Sequence, residues 1–351
     1  MVSRRVTLQS VGTLLVGLGA GCIGQSGPAS DRVEWQRQVS GTPLLNDGTI
    51  YILDRLTLYA LSPTDGSDQW TVAYEEDNFD ERLCLRSELA VDDRRVYVSA
   101  CDGLRALRRS DGEQVWSVDS PLRSGVTVNG GRVYANGDDL LAIDADGGDI
   151  EWRVPTDGER LTRLAATEDV VVFTNRADGV VTAFDTDGEQ RWTYRTETET
   201  RSPTIADGVV YVATAPVPGR EGRLLALDIE DGAILWNVET PSLKRGTRPV
   251  VDTDAIYLGC NGRDSGRLVS RSRQDGSERW SFTADNRSVY EPVVDDGTVY
   301  AGSNDNTLYA FSLTGETKWT VDTDSTVGSV AVGDEFVYAS NNERLVAVER
   351  S

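Results

Sequence analysis

Residues Ser110–Trp116 read SDGEQVW, and the four-residue step from Gly112 to Trp116 decides the fold. The same step recurs at Gly66/Trp70, Gly148/Trp152, Gly188/Trp192, Gly232/Trp236, Gly276/Trp280 and Gly315/Trp319. Successive tryptophans lie 36 to 46 residues apart. A four-stranded propeller blade takes about 40–45 residues. Each unit shares one inner grammar, clearest between Arg201 and Thr240. A short strand meets an Asp-Gly turn at Asp207-Gly208, and Val209–Ala213 follows as a β-branched and aromatic strand. Leu224–Asp228 is a third strand, Asp231-Gly232 turns the chain, and Ile234–Val238 carries Trp236. Alternating apolar residues between Asp-Gly turns are hairpin signals.

Seven units end in a tryptophan, and an eighth stops after three strands. An unassigned strand, RVEWQRQV, precedes the first unit. The economical solution is that Trp35 supplies the missing outer strand of the last blade, which closes the ring and removes exposed edges. The expected fold is all-β: an eight-bladed propeller over residues 33–351, with one structural tryptophan per blade at Trp35, Trp70, Trp116, Trp152, Trp192, Trp236, Trp280 and Trp319.

With its Leu-x-Ala triplets (Leu58-x-Ala60, Leu104-x-Ala106, Leu308-x-Ala310), the repeat resembles the PQQ-type propeller repeat. That resemblance covers about residues 33–351. It implies either a quinoprotein dehydrogenase or a non-catalytic propeller, such as the bacterial lipoprotein that assists outer-membrane protein assembly. Dehydrogenases of this family hold PQQ and calcium over the channel, beside an adjacent-cysteine disulfide and a stacking tryptophan. This chain has no Cys-Cys pair, and the repeat accounts for all its tryptophans.

The chain has no histidine. That removes Ser-His-Asp triads, Cys-His dyads, His-ligated metals and His general bases. The net charge is −22, and only Lys244 and Lys318 are lysines. An acidic excess of this kind fits work in concentrated salt, where carboxylate repulsion is screened. Nucleic acid is not an expected partner, since phosphate binding needs clustered positive charge. The Asp-rich stretches Asp144–Asp149 and Asp185–Glu189 read as turns, because each occupies the turn before a tryptophan strand.

Arg4 and Arg5, followed by an apolar stretch from Val11 to Ala20, resemble a twin-arginine export signal. Gly19-Ala20-Gly21-Cys22 resembles a lipobox, and the combination is of haloarchaeal type. Thr7 stands where that export motif prefers Phe, and Leu18 lies one place upstream of the usual lipobox Leu. The expected organisation is a signal at 1–21, a lipid-anchored tether at 22–32 beginning with lipidated Cys22, and the propeller. The protein would sit on the outer face of the cell membrane as a monomer. Cys84 and Cys101 fall in one hairpin and are a candidate disulfide. Cys260 is left over as a small apolar residue.

Aligning the units places Thr42, Glu88, Gly125, Arg163, Ser202, Arg248, Glu291 and Ser329 at one position, the start of each inner strand. Arg201 and Tyr290 lie one residue earlier, and Arg86 and Arg123 two. The candidate site is therefore a funnel of Arg86, Glu88, Arg123, Arg163, Arg201, Arg248, Tyr290 and Glu291. Two readings stay open for it. The arginines receive an anionic ligand or acidic peptide, or they pair with Glu88, Glu291 and neighbouring carboxylates. Loops that break the repeat length, at 73–85, 215–223 and 261–267, are further candidates. The expected function is a non-catalytic binding scaffold without a cofactor. The alternatives are a PQQ- and calcium-dependent alcohol or sugar dehydrogenase and a purely structural envelope component.

Overall fold

The computed structural model describes residues 32–74, 88–100, 103–156, 162–216, 222–241, 243, 247–262, 265–285 and 288–350. Within these, 32 strands form eight four-stranded antiparallel sheets. Seven sheets each take four consecutive strands. The eighth has the order β1-β32-β31-β30, where β1 is Val33–Arg37, β30 Ser329–Val332, β31 Phe336–Ser340 and β32 Leu345–Glu349. The chain thus closes its own ring as the tryptophan count requires, with Trp35 opposite Ala347. The inner strand β30 in turn touches β2 (Leu44–Asn46) of the first blade.

Strand position decides which residues are buried. The second strand of each blade lies between neighbouring blades on both faces, so most of its residues are buried, including polar ones such as Thr174 and Asn136. Val170–Asn175 and Ala255–Cys260 are buried throughout. Outer strands meet solvent on one side and alternate, as in Gln114–Asp119, where Trp116 and Val118 point inward.

The Gly-x-x-x-Trp signature joins one blade to the next. Every indole N–H donates to a backbone carbonyl of the following blade: Trp70 to Arg109, Trp116 to Ala145, and so around to Trp319 on Arg350 and Trp35 on Pro63, at 2.7–3.2 Å. Gly112 sits flat on the indole of Trp70 with φ +74°, where a Cβ would come 2.6 Å from the ring. Glycine is required there twice over, for the left-handed backbone and for the close approach. The Leu-x-Ala triplet also has a reason. Its Ala pairs directly opposite the tryptophan, as Ala106 does with Trp116, and leaves room for the indole.

Seven tryptophans lean on a buried tyrosine of their own blade's second strand, with ring centroids 5.8–6.0 Å apart. The fourth blade breaks this set. Val172 stands where the others have tyrosine, and Phe173 stacks on Phe184 instead.

The meander gives the ring two distinct faces. Inner strands all begin on one face, called here the mouth face. The turns between first and second strands, and between third and fourth, lie on the other, the turn face. Seven of the eight first turns and all seven turns leading to an outer strand carry Asp or Glu. Asp144 and Asp185 cap their own turns, accepting from the backbone N–H of Gly147, and of Asp187 and Glu189. Among the described residues no three acidic or thiol side chains converge as a metal site would need.

Candidate functional site

The inner strands β6 (Leu89–Val91), β14 (Ala165–Ala166), β22 (Val250–Val251) and β26 (Val293–Asp295) belong to blades two, four, six and seven. Glu88 stands one residue before its strand, and Arg163, Arg248 and Glu291 stand two residues before theirs. The aligned position is therefore one level of the ring, on the mouth face.

These four side chains form one chain of charges across the central channel. Arg163 donates from Nε to Glu88 Oε1 at 2.9 Å, and its Nη1 lies 3.5 Å from Glu291 Oε2. Arg248 donates from its backbone N–H and from Nε to the two oxygens of Glu291, at 3.2 and 3.3 Å. Arg163 of blade four thus reaches blades two and seven at once. Burial alone would lower its pKa, but the opposing charges of Glu88 and Glu291 outweigh that and raise it. Its side chain still keeps 32% of its surface open to water. Arg248 is the more open group at 43%, and it pairs with Glu291.

Local structure explains why Arg163 stands where it does. Gly125 of blade three has φ +70°, and a Cβ there would meet the Arg163 Cα at 3.2 Å. Asn136, fully buried, donates from Nδ2 to the carbonyl of Thr162 at 2.8 Å. A glycine and an amide from blade three therefore hold the segment that carries Arg163.

The other expected site residues are placed differently. Tyr290 is half-buried beside Gly328, and burial raises its pKa. Arg201 is only 5% exposed and lies 3.5 Å from Glu199, so it faces protein and not the open mouth. The backbone of Arg123 lies in β10 (Leu122–Asn129), but its side chain falls outside the described residues. Arg86, Cys84, Cys101, Cys22, Arg4 and Arg5 also fall outside them, as do the signal, the tether up to residue 31 and much of the repeat-breaking loops. Cys260 is fully buried, and burial pushes its thiol up to about 12, so it is an unreactive packing residue.

One recurring feature escaped the sequence reading. Arg109, Arg273 and Arg350 each donate from Nε to a tyrosine of the preceding blade, Tyr51, Tyr211 and Tyr300. Each also pairs with an acidic residue at that blade's first turn: Asp47, Asp207, and Asp295 with Asp296. The signal was an Arg at one repeat position in three blades. Without the fold, nothing marked the tyrosine as its partner.

The arrangement fits recognition better than chemistry. The chain has no histidine, and among the described residues the mouth shows no group of three acidic or thiol side chains. Its four central charges are committed to one another. Among the described residues, these four side chains do not make a cradle for a quinone with a metal ion.

Comparison with known proteins agrees with the architecture. The family described as "Outer membrane protein assembly factor BamB" matches residues 2–103, 100–258 and 221–351. A relative of that name from Yersinia pestis is 26% identical over 259 residues, covering 64% of this chain and 63% of the relative. One from Burkholderia pseudomallei is 28% identical over 254 residues, covering 66% and 64%. The matched stretch is thus just under two thirds of either relative's length.

Among solved structures, BamB from Moraxella catarrhalis superposes with a TM-score of 0.68 at 20% identity, over 90% of this chain and 97% of that one. The computationally designed Ika8 protein gives 0.73 at 14% identity, over 91% and 98%. The quinohemoprotein alcohol dehydrogenase of Comamonas testosteroni gives 0.65 at 15% identity, over 91% and 75%. Identities this low show a shared fold alone, since one fold hosts many functions. The family match covers nearly the whole sequence, and the chain belongs to the family of the outer membrane protein assembly factor BamB.

Proposed function

We propose that this protein is an exported, non-catalytic propeller that binds another protein through its mouth face, as a scaffold at the cell surface. The observation that carries the reading is the charge chain Glu88–Arg163–Glu291–Arg248. It spans the channel and satisfies itself, leaving a rim that includes the half-open fork of Arg248 and the half-buried Tyr290. A protein surface can engage such a rim through hydrogen bonds and a few desolvated anchors. The relatives are named as an assembly factor, which fits a protein partner. The dehydrogenase reading has the fold likeness in its favour, but the described mouth residues pair with one another and form no cofactor cradle.

The reading includes export by the Arg4-Arg5 signal, a lipid on Cys22, the tether at 22–32, monomeric propeller behaviour and operation in concentrated salt. The acidic turns support the last point, since their mutual repulsion is screened there. Affinity capture from native membranes in molar salt tests the whole. Wild type is expected to retain a partner, and Arg163→Ala combined with Arg248→Ala to lose at least 90% of it. Capture should fail at low salt. Retention by the folded double variant would remove the mouth from the account. Dye reduction by wild type with added PQQ, calcium and an alcohol or sugar would restore the enzyme reading.

A further inference from the structure

The strand directions fix which face of the ring an N-terminal anchor leaves from. β1 is the outer strand of the last blade, and outer strands run from the turn face towards the mouth face. Its first residue therefore sits on the turn face. Arg32, just before it, confirms this locally. Its Nη1 donates to the carbonyl of Glu349 at the far end of β32, and its guanidinium lies 5.4 Å over the ring of Trp319 in blade seven. Arg350, the next residue after Glu349, pairs with Asp295 and Asp296 at the first turn of that blade. The chain thus enters the propeller on the turn face, at the outer rim, on the seam between blades seven and eight. The charge chain Glu88–Arg163–Glu291–Arg248 lies on the opposite face.

We infer that the anchored propeller turns its mouth away from the membrane, so that the partner at the mouth is a soluble, aqueous-side protein domain and not a lipid-embedded segment. This rests on the proposed anchor at Cys22. Nine residues separate Cys22 from Arg32, a reach of at most roughly 35 Å over the ten steps when fully extended. The five residues of β1 set the height of the outer edge at about 17 Å. Turning the mouth to the membrane would oblige the tether to climb that edge and would take about half its reach. Keeping the turn face towards the membrane takes none of it.

Two exposed residues of the same blade report the orientation. Asp334 lies in the turn between β30 and β31, on the turn face, and Asn342 in the turn between β31 and β32, on the mouth face. An azide-bearing residue at one or the other, in the full-length processed protein, carries a donor dye. Vesicles of the native lipids carry an acceptor on their headgroups. Energy transfer is expected to be at least twofold stronger from position 334 than from position 342. Equal transfer, or stronger transfer from position 342, in a membrane-bound protein overturns the orientation and leaves the anchor standing. Flotation of the same samples reads the anchor separately. Wild type should float with the vesicles and Cys22→Ala should not. A wild type that stays in solution, or a Cys22→Ala variant that floats equally, overturns the anchor and this inference with it.

Discussion

A chain lacking residues 1–38 is expected to lose cooperative folding, whereas one lacking only 1–31 keeps it. The difference between the two is β1. With β1 gone, β32 becomes a bare edge open to pairing with other chains. The last blade also loses Val33 and Trp35 from the cluster they cover. Trp35 donates to the Pro63 carbonyl and leans on Tyr338, and Arg37 donates to the Gly66 carbonyl and to Asp68, so the first blade loses its tie as well. The half-buried Trp35 alone contributes about 3 kcal/mol on truncation. Whole-protein stabilities run to about 5–15 kcal/mol, so losing the entire strand removes most of the margin. Thermal unfolding by circular dichroism, in molar salt, reads the result. A truncated chain that melts as sharply and as late as the longer one would show that closure does not depend on β1.

Trp116→Ala is expected to cost about 3–5 kcal/mol. Trp116 is 9% exposed, packs under Gly148 of the next blade, leans on Tyr97 and donates to the Ala145 carbonyl at 3.0 Å. Trp116→Phe keeps one six-membered aromatic ring but removes the rest of the indole with its N–H, leaving the Ala145 carbonyl without that donor, at about 1–3 kcal/mol. The drop in Tm for Trp116→Ala should be about 5 °C in a chain of this size. Calorimetry orders the three proteins, with wild type highest and Trp116→Ala lowest. A Trp116→Ala protein within about 1 °C of wild type, a margin that corresponds to roughly 0.7 kcal/mol at this size, would mean that the indole does not bridge the blades.

The architecture was legible because the repeat encodes it redundantly. Gly112 and Trp116 are a turn and a bridge in every copy, and seven copies plus one stray Trp35 admit one closure. The tyrosines beside the tryptophans were less legible. A Tyr in a β-branched run reads as ordinary strand composition until Tyr97 is seen beside Trp116. At the mouth, alignment of the turns located Glu88, Arg163, Arg248 and Glu291 at one level. It could not decide between an open funnel and a paired one. That choice depends on whether an Arg from blade four spans the channel, which is a matter of radius and not of sequence. The same limit applied to Arg201, which has the right register but turns into the protein beside Glu199. Gly125 and Asn136 were invisible as supports, because their effect on Arg163 passes between blades.

The central claim is that the mouth face, and not the acidic turn face, meets a protein partner. A photo-crosslinking residue at Tyr290 on the mouth, compared with one at Asp231 on the turn face, tests this in native membranes at high salt. A discrete protein adduct is expected from position 290 and none from position 231. An adduct formed only from position 231, or none from position 290 in a folded protein, would contradict it.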